Sequence, residues 1–307
     1  MSTLHRRFAG FLLLAGLSAG GIELIHSGVY GLTIFILFPV LLGGLASWAF
    51  CPSTGGQAAG LGALIVVIAL CSLLIVGLEG LGCLAMTLPL ALPLGALGSW
   101  LVYYARSSKA ATRGGVAMLL LLPPASLTWD ARVQPPVFEV RSAITIAAPP
   151  EQVWQHVVTF SELPEPREWF FRAGLAYPKR AHIVGSGVGA IRYCEFSTGP
   201  FVEPIEVWDE PRLLRFRVSE NPAPMNEWSP YARVLPRHLH GYLISKQGQF
   251  RLTRLPNNQT LLEGTTWYQH GLWPAQYWRW WSDAIIHRIH LRVLNHIRTL
   301  AEAHGNF

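Results

Sequence analysis

The sequence predicts an all-α membrane domain of four to five spans, followed by an α+β domain in which an antiparallel sheet precedes one long C-terminal helix. Two observations carry this. Between residues 8 and 105 only Glu23 and Glu79 are formally charged, although the whole chain has 24 Lys and Arg and 18 Asp and Glu. After Asp130 charge returns to ordinary density, and the apolar residues repeat first every second position and later at helical spacing. The composition changes near Asp130, which divides the chain into a transmembrane helical domain at 1–130 and a second domain at 131–307.

Apolar runs at about 8–26, 29–50, 58–78 and 81–105 each reach spanning length. In hydrocarbon a backbone must satisfy its own N–H and C=O groups, so such runs become helices. A fifth run, Gly114 to Trp129, has 16 residues and contains Pro123 and Pro124, which fits either a short span or a segment lying in the interface. His5, Arg6 and Arg7 ahead of an apolar stretch resemble a signal peptide, but further apolar spans follow, so a retained first helix is expected. Arg6 and Arg7 at one end, and Arg106, Lys109 and Arg113 after the fourth run, favour a cytoplasmic N-terminus. A spanning fifth segment would put the second domain outside the cytoplasm, and a flat one would keep it inside. The apolar Leu119 to Leu122 and an interfacial Trp129 lean toward the former. Glu23 and Glu79 map near span ends, where headgroup-level solvation is the simpler expectation than a buried relay. Gly43, Gly44, Gly60, Gly62, Gly95 and Gly98 permit close helix packing. No convincing repeat relates one pair of spans to another, which disfavours an inverted-repeat transporter.

In the second domain Phe138, Val140, Ile144 and Ile146 alternate with polar or small residues, a half-buried strand. Pro150 then suits a first helical turn and Glu151 complements the helix dipole. Strand-like runs recur at about 188–196, 201–208, 212–218, 247–255 and 259–268, separated by Ser197-Thr198-Gly199-Pro200, Asp209-Glu210-Pro211 and Pro256-Asn257-Asn258, as in successive hairpins. The chain ends in a helix over about 274–303, with Trp281, Ile285, Ile289, Val293, Ile297 and Leu300 tracing an apolar stripe.

The stretch Ile144-Thr145-Ile146-Ala147-Ala148-Pro149-Pro150-Glu151-Gln152-Val153-Trp154 resembles the opening of the START-like superfamily, the SRPBCC or polyketide cyclase/dehydrase and lipid-transport group, where an "I-x-A-P-x-x-x-V-W" stretch joins the first strand to the first helix. In element order the resemblance covers about 138–303. It implies a helix-grip fold, a curved antiparallel sheet wrapped around the terminal helix, with a tunnel for a hydrophobic ligand. With the membrane half it implies a bacterial inner-membrane protein whose partners are membrane lipids and a hydrophobic small molecule. The expected function is membrane-anchored binding of that molecule or lipid, for transfer or sensing. The alternative is a cyclase-, dehydratase- or hydrolase-type enzyme acting on a membrane-soluble substrate, with a tunnel carboxylate as acid or base. A scaffold using loop 221–247 is a third possibility.

Ligand-tunnel candidates are Arg192, Tyr193, Glu195, Glu203, Trp228, Tyr242, Trp267, Tyr268 and Trp281. Glu203 and Glu263 are the catalytic candidates, since a desolvated carboxylate has a raised pKa. Outer-face exposure is the simpler expectation for each, because carboxylates are seldom buried unpaired. Asp283, His287 and His290 share one helix face and form a weak metal alternative to ordinary i,i+4 pairing, so neither metal nor cofactor is expected. The stretch from Asn221 to Gln247 is too long for a hairpin turn. It reads equally as a tunnel cover or membrane-contacting flap, or as a packed loop. No nucleophile elbow, phosphate loop, dinucleotide fingerprint or zinc-protease motif is present. Of the charged residues, 19 of 24 basic and 15 of 18 acidic lie beyond Asp130, a mild excess of +4 with no basic block, which argues against nucleic acid as a partner.

Overall fold

The computed structural model describes residues 3–107, 113–231, 234 and 236–303, and for 113–121 the backbone alone. It contains two compact units. One comprises Met1–Gln134, Glu227–His238 and Gly271–Pro274, and the other Pro135–Asn226, Leu239–His270 and Ala275–Phe307.

The helical unit holds α1 (Thr3–His26), α2 (Phe38–Phe50, preceded without a break by a π-helical stretch, Thr33–Leu37), α3 (Gly55–Val76), α4 (Leu81–Ser107) and α5 (Arg113–Asp130). Four helices are long and apolar enough to cross a membrane: α1, the continuous Thr33–Phe50, α3 and α4. The fifth, α5, is helical through Pro123 and Pro124 but is not one of these four. Its last residue, Asp130, accepts hydrogen bonds from the backbone amides of Leu32 and Thr33 at 2.8 and 3.0 Å, satisfying amides that open the second helix. Glycine brings three helices into backbone contact. A Cβ on Gly43 would overlap the Gly95 carbonyl, one on Gly62 the same carbonyl, and one on Gly98 the Val40 carbonyl. Glu23 is exposed, whereas Glu79 is 2% exposed and accepts a 2.6 Å hydrogen bond from the Tyr30 hydroxyl. The expectation of headgroup solvation therefore fails for Glu79. The joint between α1 and α2, which carries Tyr30, packs over it.

In the second unit seven antiparallel strands form one sheet in the order β1-β7-β6-β5-β4-β3-β2. They are β1 (Val137–Ile146), β2 (Pro178–Val184), β3 (Ile191–Phe196), β4 (Gly199–Asp209), β5 (Leu213–Arg217), β6 (Leu243–Leu255) and β7 (Gln259–His270). Two short helices, α6 (Pro150–Val158) and α7 (Trp169–Arg172), lie between β1 and β2, and α8 (Ala275–Ala303) follows β7. Strand β2 begins at a proline and sits at the sheet edge, where a missing N–H costs no ladder bond; its irregular burial hides it from a period-two reading. Val153, Trp154 and Val157 of α6 pack with Leu214, Leu262, Leu294 and Ile297, all no more than 2% exposed. The buried face of α8 runs through Trp278, Ile286, Val293, Leu294, Ile297 and Ala301, rotated from the stripe expected on the sequence. Gln152 donates to the Ala301 carbonyl at 2.7 Å, and Glu302 accepts from the Ala147 amide at 2.9 Å, tying the end of α8 to the start of α6.

Candidate functional site

Between the sheet and α8 lies an apolar cavity of about 140 Å³. Its walls include Phe196, Phe201, Phe216, Phe250, Ile286 and Val293. Two charged side chains enter this apolar setting. Arg192 of β3 and Glu203 of β4 are direct cross-strand partners, and both line the cavity. They are 1% and 6% exposed, and Arg192 Nη1 donates to Glu203 Oε2. Opposite charges in register on one sheet face attract, and at this burial neither is tolerable alone.

Arg192 is held on several sides. Its Nε donates to the Val158 carbonyl at 3.2 Å, and its guanidinium lies 5.5 to 5.6 Å from the ring centres of Phe160, Phe216 and Phe250. Nη2 is buried and has no hydrogen-bond partner among the described residues. Burial pushes the Glu203 carboxyl above the ordinary carboxylate range, opposed by the neighbouring Arg192. The Cys194 thiol, on the same wall, is raised to about 12 by burial first and Glu203 second, so it is a neutral thiol there.

His290 of α8 also lines the cavity. Its Nε2 is 2.8 Å from the Thr266 hydroxyl and its Nδ1 3.1 Å from that of Ser142. Burial, and then the charge of His287, lowers its pKa to about 4, so the imidazole is neutral at physiological pH.

The other candidates lie elsewhere. Tyr193 and Glu195 occupy the opposite face of β3, where Tyr193 stacks on His182 and Glu195 pairs with Arg180 at 2.8 Å. Glu263 faces Arg141 at 3.9 Å, and Trp267 donates to Glu139 at 3.1 Å, both across the β1–β7 pair on the outer face. Tyr268 is fully buried but turned to Asp283, which accepts its hydroxyl at 2.6 Å; burial and that carboxylate raise the phenol above its ordinary value. Trp281 rests against Trp280, Trp228 is exposed, and Tyr242 is half-buried outside the cavity wall. Asp283 is taken by Tyr268 and Arg279, while His287 and His290 share the Ser142 hydroxyl, so the three do not form a ligand set.

Of the long connection between β5 and β6, Asn221 to Pro224 form part of the cavity wall, whereas Glu227 to His238 belong to the helical unit. The wall residues not anticipated from sequence, chiefly Cys194, Phe216, Phe250 and His290, share the inward parity of Arg192 or the α8 face opposite it.

A curled seven-stranded sheet gripping a long helix, with an apolar cavity between them, defines a helix-grip domain for hydrophobic ligands. Residues 137–266 match the family model described as "Polyketide cyclase / dehydrase and lipid transport", and the chain carries a domain of that family. No curated protein matches the sequence. Among solved structures, a norcoclaurine synthase point mutant from Thalictrum flavum is similar at 12% identity, with 57% of this chain and 100% of that chain covered and a TM-score of 0.36. The Zhui aromatase/cyclase from Streptomyces is similar at 17% identity, covering 54% and 94%, with a TM-score of 0.34. A protein from Nitrosospira multiformis shows 19% identity over 53% and 94%, with a TM-score of 0.34.

Proposed function

We propose that this chain is a membrane-anchored binding protein for a small hydrophobic molecule carrying one hydrogen-bond acceptor or anionic group. The observation that carries this is the unpartnered Nη2 of Arg192, buried on the wall of an otherwise apolar cavity. A buried donor left unmade costs about 1–3 kcal/mol, and a ligand oxygen would recover it. Cavity size limits the occupant. A void near 150 Å³ holds about one benzene-sized molecule, so about 140 Å³ suits a single ring or a short acyl segment rather than a whole diacyl lipid. The four apolar helices would hold the domain beside the phase in which such molecules concentrate. An acid–base reading would need several of Glu195, Glu203, Glu263 and Tyr268 together; of these only Glu203 lines the cavity.

The test uses the full chain in lipid nanodiscs. Copurifying small molecules are extracted and identified by mass spectrometry, and an apolar fluorescent carboxylate is titrated in parallel. Saturable binding should weaken at least about tenfold, roughly 1.4 kcal/mol, in Val218→Trp, which places bulk on the cavity wall. No extracted molecule together with dye binding unaffected by Val218→Trp would sink the reading.

A further inference from the structure

The helical unit contains a second group of functional side chains, which joins α4 to the segment Glu227–His238. Glu79, in the joint before α4, and Cys83, in the first turn of α4, meet His238 so that one donor atom from each lies within 4.8 Å of the others. All three are buried. The carboxylate is held in place, and neither it nor the imidazole has its full complement of hydrogen bonds among the described residues. Tyr30 donates to Glu79 Oε1 at 2.6 Å, while Glu79 Oε2 is buried and makes no aligned hydrogen bond among the described residues. His238 is 7% exposed; its Nδ1 lies 3.2 Å from Glu79 Oε2 and its Nε2 3.8 Å from Glu227 Oε1, and neither nitrogen makes an aligned hydrogen bond among the described residues. Glu227 is fixed in turn, because its two oxygens accept from the amides of Gly82 and Cys83 at 2.9 and 3.0 Å, capping the start of α4.

We propose that Glu79, Cys83 and His238 bind a divalent metal ion of the zinc class, with Glu227 as the carboxylate facing the second ring nitrogen of His238. A carboxylate, a thiol and an imidazole converging in a buried space are the donor types zinc takes. Around one zinc such donors stand roughly 3.5 Å apart, so the observed spacing closes with small side-chain rotations. A histidine squeezed between two carboxylates would explain the charges alone. It would not explain a soft sulfur donor converging on the same buried space. Metal-ligating histidines generally turn their other nitrogen to a carboxylate, the position Glu227 occupies. Glu79 and Cys83 also line an apolar cavity of about 80 Å³ among α1 to α4, so a coordination position left open by three protein donors faces that cavity.

The experiment uses the full chain, purified in detergent with a tag free of histidine, and does not depend on the ligand-binding reading of the other unit. Elemental analysis should find one zinc per chain. Exchange with Co²⁺ should produce a thiolate-to-cobalt charge-transfer band, abolished in Cys83→Ser and in His238→Gln while both variants elute as monodisperse protein. Tyr30→Phe, which frees Glu79 without removing a donor, should weaken retention against a chelator about 10- to 100-fold. Wild-type protein that contains no zinc and gives no charge-transfer band on Co²⁺ titration overturns the proposal without recourse to any variant. So does metal whose stoichiometry survives both substitutions.

Discussion

Arg192 is the residue on which the ligand-binding unit turns. A guanidinium 1% exposed survives in an apolar wall because Glu203 neutralises it, the Val158 carbonyl takes one donor and three aromatic faces surround it. Removing one partner is worse than removing both. Arg192→Met should destabilise the unit by about 3–5 kcal/mol, since Glu203 is then buried and unpaired, whereas Arg192→Met with Glu203→Leu should regain most of that loss. In the single variant the folded-state pKa of Glu203 rises further above its unfolded value. Its cost is therefore largest at neutral pH and shrinks as pH falls toward the unfolded carboxylate value of about 4.3. Thermal unfolding of full-length protein, followed by tryptophan fluorescence at pH 7 and pH 5, checks both statements. A double variant as unstable as the single one would show that the ion pair is not what holds Arg192. The sequence placed Arg192 and Glu203 on adjacent strands, but it did not reveal which face of β3 points inward. Alternation sorts Arg192, Cys194 and Phe196 from Tyr193 and Glu195 without saying which set is buried, and the usual preference for buried uncharged residues does not settle it. The same ambiguity put Glu263 and Trp267 among the candidates, although they lie on the outer face.

At the scale of elements, period and composition carried most of the architecture. The four apolar runs, six of the seven strands, α6 and α8 are all visible in the sequence, because each buries one face or sits in hydrocarbon. What escaped was set by long-range partners. Strand β2 owes its existence to pairing with β3, and the connection after β5 is divided between the two units. The glycines of the helical unit are a case in which sequence suggested packing but could not rank positions. Gly95 lies under the Gly62 carbonyl and the Val66 side chain, whereas a Cβ at Gly60 would meet nothing within 4 Å. Gly95→Val should therefore force α3 and α4 apart and lower stability by about 3 kcal/mol or more, the upper end for overpacking. Gly60→Ala should change stability by no more than about 0.5 kcal/mol, as for a substitution that touches nothing. Melting temperatures of the purified proteins in one detergent separate the two. Equal effects would mean that the contact between α3 and α4 is not close-packed through Gly95.

For the whole molecule, the helical unit bears on which side of a membrane the helix-grip domain would occupy. Tyr30, in the joint between α1 and α2, donates to Glu79, in the joint between α3 and α4, so these two joints share one end of the bundle. Asp130 at the close of α5 caps the amides of Leu32 and Thr33 at that same end. Arg6 and Arg7 stand at the start of α1 and Arg106 at the end of α4, which alternation of direction assigns to the other end. A helix of 18 residues rises about 27 Å, close to the thickness of the hydrocarbon core. Thus α5 has the length and the terminal contact of a fifth traverse despite its prolines. A cytoplasmic basic end would put the exit of the chain from the bundle on the extracytoplasmic side. In bacterial cells a C-terminal fusion should then give active alkaline phosphatase and dark green fluorescent protein, while fusions after Ser107 should give the reverse. Fluorescent C-terminal fusions with inactive phosphatase would place α5 flat at the interface and return the helix-grip domain to the cytoplasm. The reporter at Ser107 decides whether such a result reflects α5 alone or an inverted bundle, since inversion changes the signal at both positions and a flat α5 changes only the C-terminal one.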